Sequence, residues 1–273
     1  MLVRLPESLM SYYPILPAPG CSGWTTLYNF APNNWEEGAR LTRYVNVTWA
    51  DGRYWHTRNL ARLQYGALKT VHAVEVAGLM PDASLPLLSL TDFEPSPVAE
   101  RLPPVGSAHA SYPAWRATLG LLSESGAKSC YQGELDPFPA PGSLLTFGQF
   151  LQFGKGIDNY LLFLNIESDA TQRNEQIEIR NAASPERLLA RFPVKNNSVN
   201  PIRLDFPDTA EEDLLLITCK GMSGVPLYFS RSEGGGYLSL EHSHPPASSV
   251  IHGRRWEAQK LLKQRWFAKV GAK

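Results

Sequence analysis

Net charge is missing from this chain: 26 Lys and Arg stand against 26 Asp and Glu in 273 residues. Such a chain has no overall field of the kind that draws polyanions, so nucleic acid is not an expected partner. Cysteine is scarce. The three present, Cys21, Cys130 and Cys219, lie far apart and form no C-x-x-C pair, which argues against a disulfide framework and against a structural zinc site. No apolar run approaches the ~20 residues that span a bilayer. In residues 1–10, Pro6, Glu7 and Ser8 interrupt any apolar leader core, so a soluble, cytoplasmic protein is expected. Without a secretory signal, the sequon matches at Asn46 and Asn196 read as chance. A phosphate loop, a dinucleotide-binding fingerprint, a glycosidase-type motif and internal repeats are also lacking.

What is present is material to bury: 43% of residues are hydrophobic and 11% aromatic. That is enough for one large or two ordinary domains. Seven short runs in the second half, at 160–166, 176–180, 187–194, 201–206, 213–219, 225–230 and 237–242, are continuously apolar or alternate with period two. They read as antiparallel strands of a sandwich or jelly-roll-like arrangement, with a hairpin around 231–236. The expected fold class is mainly β, α+β overall.

The first half reads as more irregular. Residues 1–40 are rich in Pro, Gly and aromatics, and few regular elements are expected there. Asp51-Gly52 suits a two-residue type I′ hairpin turn, in which Trp49 would face Tyr54 and Val47 would face His56. Asn59 is placed to cap a short helix carrying Leu60, Leu63 and Leu68, after which 71–76 alternates like a strand. Seven prolines between 81 and 113 forbid a long helix or a central strand and mark a boundary or crossing. A short helix is expected at 114–122, stopping before Gly126. These features divide the chain into an irregular α+β portion at 1–110 and a sandwich-like domain at 111–273.

The tail is charged where the rest is not. Residues 254–273 hold seven Lys or Arg and one Glu, a balance of +6, leaving 19 minus 25, or −6, on the preceding residues. Ala258, Leu262, Trp266 and Val270 form an apolar row at i, i+4 spacing, predicting a basic helix over 254–270. Its two readings are packing on the protein's own sheet and docking of a partner.

Four constellations can carry chemistry. In Gly221-Met222-Ser223-Gly224-Val225-Pro226, a serine between glycines can present its hydroxyl at a tight turn while the amides of Gly221 and Ser223 converge on an oxyanion. Over these few residues the segment resembles the nucleophile loop of chymotrypsin-like serine proteases, with Met222 in place of the acidic residue and Val225 in place of a glycine. The resemblance implies a preceding histidine and aspartate, for which His72 and Asp158 are the positions to test. The competing reading is a hairpin turn at 220–224. His242 and His244 share a face of an extended strand and, with His252, can offer imidazoles to zinc or iron, as in cupin-like sites; the competing reading is a half-buried histidine at a strand end. Glu134 and Asp136, near Cys130 in a Pro/Gly-bounded loop, form a polar ligand site or a solvated loop. Finally, Trp24, Trp35, Trp49 and Trp55 concentrate aromatic surface in the first 60 residues, the expected ligand face.

The sequence therefore favours a non-catalytic protein that binds a small polar ligand, carbohydrate first, or a protein partner, through aromatic-rich loops, and without a cofactor. The alternatives are a zinc or iron enzyme using His242 and His244, and a serine hydrolase using Ser223. Oligomeric state is left open.

Overall fold

The structure is a computed structural model. It describes residues 12–30, 41–82, 84–102, 117–133, 143–148, 154–206, 209–210 and 213–242, with Leu261, Gln264, Arg265, Phe267 and Ala268 beyond them. These residues form 17 strands in four antiparallel sheets and one short α-helix. The chain divides into two units. The first comprises Met1–Phe138 with Ile166–Gln172 and Asn197–Val199, and the second comprises Pro139–Asn165, Arg173–Asn196 and Asn200–Lys273.

In the first unit the strands are β1 (Tyr13–Pro14), β2 (Cys21–Tyr28), β3 (Arg43–Ala50), β4 (Trp55–Leu63), β5 (Leu68–His72), β6 (Leu87–Thr91), β7 (Val98–Ala99), β8 (Ala117–Ser123) and β9 (Lys128–Gly133). Helix α1 (Ala73–Val76) follows β5. One sheet has the order β1-β6-β3-β4-β7, the other β5-β2-β8-β9. This portion is thus far more regular than its composition suggests. Pro and Gly stand between the strands: Ala18-Pro19-Gly20-Cys21 closes with the Cys21 amide on the Ala18 carbonyl, and Gly20 takes φ +68°, as a type II turn with Pro then Gly requires. The prolines of 81–113 likewise flank β6, so β6 sits between β1 and β3 directly after Pro86.

Four local expectations are corrected, the first being that 71–76 is a strand: β5 ends at His72 and Ala73–Val76 is α1, started by the His72 amide on Glu75 Oε1. The Asp51 hairpin has a four-residue loop, and Trp49 faces His56 while Val47 faces Arg58. The Asp51 carboxylate explains this, because it accepts the amides of Arg53 and Tyr54, each at 2.8 Å, and turns the chain two residues later. The helix expected after Asn59 is the continuation of β4. Asn59 spends its amide on the carbonyls of Val45 and Ala61 and on Asn46 Oδ1, beside the register shift between Val45 and Asn46. The helix expected at 114–122 is strand β8 from Ala117 onward, laddered to β2 and β9, since tertiary pairing outweighs the helix preference of its Ala and Leu. Gly126, with φ +92°, closes the β8–β9 hairpin loop.

In the second unit the strands are β10 (Leu144–Gly148), β11 (Ile157–Leu164), β12 (Asn174–Asn181), β13 (Leu188–Lys195), β14 (Asn200–Arg203), β15 (Leu215–Cys219), β16 (Val225–Ser232) and β17 (Leu238–His242). All seven predicted runs are strands; β10 is additional. The sheets β10-β15-β12-β13 and β14-β11-β16-β17 form a sandwich-like arrangement. Leu161, Phe163, Ile202 and Tyr228 from one sheet share a buried cluster with Ile177, Ile179, Val194, Leu215 and Ile217 from the other. In the tail the five described residues, Leu261, Gln264, Arg265, Phe267 and Ala268, are helical, and the rest of the basic helix expected at 254–270 lies outside the described residues. Among the described residues no helix is long and apolar enough to cross a membrane.

Candidate functional site

Alternation along β2 sorts its side chains onto two faces. Thr25 and Leu27 are fully buried, and they share their face with buried Val71, Leu119 and Leu121 of the neighbouring strands. Ser22, Trp24, Thr26 and Tyr28 take the other face, on which Leu68 is 60% exposed and Cys130 is exposed while Thr26, at 7%, is buried.

Trp24 stands at the middle of this face. Its ladder partners are His72 on β5 and Gly120 on β8, and Gly120 in turn pairs with Cys130 on β9, so one row crosses the whole sheet. The indole leans over β8. A Cβ at Gly120 would stand 2.3 Å from Trp24 Cε2 and Cζ2 and 2.7 Å from Nε1, so glycine is what allows the ring to settle there. Trp24 remains only partly buried. Hydroxyl pairs flank it: Thr26 and Thr70 at 2.7 Å, and Tyr28 and Thr118 at 2.7 Å. His72 is half-buried and its amide donates to Glu75 Oε1 at 2.8 Å, which starts α1 and ends β5 at the rim of the face. The exposed part of Trp24 can stack an apolar ring surface, with the partly exposed hydroxyls of Thr70, Thr118 and Tyr28 further along the face.

The other sequence-predicted residues are placed as follows. Trp55 is 1% exposed, a core residue rather than part of an open surface. Trp35, Glu134, Asp136, His244 and His252 lie outside the described residues, and His242 closes β17 opposite Leu227. Among the described residues no cluster of three or more His, Cys, Asp or Glu stands close enough to hold a metal ion.

Ser223 and Asp158 are not brought together. Asp158 faces Arg231 at one end of the β11–β16 ladder while Val225, two residues after Ser223, faces Leu164 at the other. Six residues of strand separate the ends, roughly 20 Å. Asp158 instead binds Arg203 at 2.9 Å and Arg231 at 3.3 Å. His72 belongs to the first unit, Ser223 to the second. The 220–224 segment is also not a hairpin, since it carries the chain from β15 in one sheet to β16 in the other. Met222 is fully buried in the sandwich core. Burial pushes the Cys219 thiol pKa up, and the amides of Met222 and Gly221, which point at the sulfur, work against that shift. The Gly224 amide donates to Asn165 Oδ1 at 3.1 Å. The amides of Gly221, Met222 and Gly224 are thus committed to structure.

Sequence reasoning expected a ligand face in the aromatic first 60 residues and did not single out Tyr28, Thr70, Thr118 and Gly120, which share the Trp24 face. The available signal was the period-two pattern of Trp24, Thr26 and Tyr28 within 21–28. A separate half-open recess of about 550 Å³ in the first unit is lined by Thr57, Arg58, Asn59, Glu94, Pro95 and Pro97.

Comparison of the chain with family models, with curated proteins and with solved structures found no match.

Proposed function

We propose that this chain is a non-catalytic binding protein that takes a polar ligand, carbohydrate by chemical class, on the open face of the β5-β2-β8-β9 sheet. The observation that supports this reading is the Trp24 indole seated over Gly120 with the Thr26–Thr70 and Tyr28–Thr118 hydroxyl pairs beside it. A sugar presents C–H groups on one ring face and hydroxyls at its edge; an aromatic surface with hydroxyls along one side matches both. The three free thiols fit the reducing compartment expected from the sequence.

The test is a glycan-panel screen of the full chain followed by calorimetric titration of each hit. Binding that disappears in Trp24→Ala, with an unchanged unfolding midpoint, is the expected result. A folded chain that binds no glycan, or binds one equally well without the Trp24 ring, overturns the reading and favours a protein partner on this face.

A further inference from the structure

Resting on that reading, we infer that the ligand is a linear, uncharged glycan chain that runs along β2 and touches two rings, Trp24 and Tyr28, rather than a single sugar held at Trp24. Trp24 and Tyr28 lie four residues apart on one strand and so on one face, separated by about 13 Å at the strand rise of ~3.3 Å per residue. That backbone interval exceeds the width of one sugar ring, and a chain spans it. The two rings also lean the same way. Trp24 occupies the space above Gly120 on β8, and the Tyr28 hydroxyl reaches Thr118 on the same strand at 2.7 Å. The interval between them holds Thr26, which is only 7% exposed and bonded to the partly exposed Thr70 at 2.7 Å, so a ligand there meets the Thr70 side of the pair. Leu68, the ladder partner of Tyr28, is 60% exposed, so the Tyr28 end of the track is open.

The charge of the ligand follows from the strands themselves. None of β2, β5, β8 and β9 contains an Asp or Glu. Their basic side chains are Lys69, whose ammonium approaches Glu75, Lys128 at the far corner of the face, opposite Leu122, and His72, the ladder partner of Trp24. Between the rings only hydroxyls are offered, so neither a polyanionic glycan nor a cation-bridged sugar finds a counter-charge there.

The experiment is a length series on the intact chain: monosaccharide, disaccharide and oligomers to the hexamer of neutral linear β-glucan, xylan, mannan and chitin, with oligogalacturonate as the charged probe. Calorimetry should show affinity rising about tenfold or more from monosaccharide to the longer oligomers of one neutral series. Tyr28→Ala should reduce the long oligomer to monosaccharide-like affinity and leave the monosaccharide unaffected, while Tyr28→Phe, which keeps the ring, should retain the length dependence. In the unmodified protein the hexamer should shift the amide NMR signals of Trp24, Tyr28 and Leu68, and the monosaccharide those around Trp24 alone, a readout independent of how any variant folds. Trp24-dependent binding with no length dependence, or tighter binding of oligogalacturonate, overturns this inference while leaving carbohydrate binding standing. Absence of binding to every probe overturns both.

Discussion

The indole Nε1 of Trp55 donates a hydrogen bond to the carbonyl of Ser168, 3.0 Å away and 113 positions further along the chain. The same carbonyl accepts the amide of Leu102, and Ala170 returns its own amide to Glu100. The connection between β11 and β12 therefore completes the first unit, joining the strip beside β7. Trp55→Phe removes the donor and leaves space around a side chain only 1% exposed, so it should cost about 1–3 kcal/mol in urea unfolding. A cost within experimental error would mean that the connection is not held by this indole.

Asn197 fixes the same connection from the other side. Its Oδ1 accepts the Glu167 amide at 2.7 Å, its Nδ2 donates to the Asp169 carbonyl at 2.8 Å, and its backbone sits at φ +52°. Both Asn197→Gly and Asn197→Ala lose the two bonds, but only alanine also bears the strain of left-handed backbone, which asparagine tolerates and glycine does not feel. Both should destabilise, alanine by about 1 kcal/mol more than glycine. Equal unfolding midpoints for the two variants would show that the backbone conformation relaxes once the side chain is gone.

Why some of this was legible in the sequence and some was not comes down to range. The runs that became β11 to β17 alternate or are continuously apolar over four or more residues between turn residues, a local signal that survives into the fold. β8 misled because Ala117, Leu119, Leu121 and Leu122 suit a helix as well as a strand, and its pairing with β2 and β9 is not local. Gly126 was legible as a stop but not as a hairpin loop. For the candidate site, aromatic density pointed to the first 60 residues, but it could not separate partly exposed Trp24 from Trp55 in the core; that needs the register of each strand. Nor could it show that Met222 in the 220–224 loop is a core residue, because the loop's role depends on which sheet each flanking strand joins.

Acid should loosen the Asp51 turn. Burial opposes ionisation of Asp51, but the amide of Tyr54, the ring of His56 at 2.7 Å and the amide of Arg53 outweigh it and hold the pKa down at about 2, against the ordinary 3.8. A carboxyl depressed on folding stabilises the fold above its unfolded pKa and loses that contribution as pH falls through the folded one. Asp51→Asn keeps an acceptor for the amides but not the charge. Its unfolding midpoint should lie below that of the unmodified chain at pH 5, and the gap should close between pH 4 and pH 2. A gap that stays constant over that window would show that the charge does not hold the turn.

Two glycines of the β5-β2-β8-β9 sheet separate a binding defect from a stability defect. At Gly120 a methyl group would stand 2.3 Å from the Trp24 ring, so Gly120→Ala must push the indole off its seat, at about 1–3 kcal/mol of overpacking. At Gly126 nothing lies within 4 Å of the added methyl, but φ is +92°, so Gly126→Ala strains the hairpin loop by about 1–2 kcal/mol without touching the ring. The two variants should therefore lose comparable stability in urea yet differ in titration. Glycan affinity should fall at least tenfold in Gly120→Ala, with a shifted tryptophan emission, and remain unchanged in Gly126→Ala. Equal retention of affinity in both would place the ligand elsewhere than on Trp24; equal loss in both would mean that binding follows the stability of the sheet rather than the position of the ring.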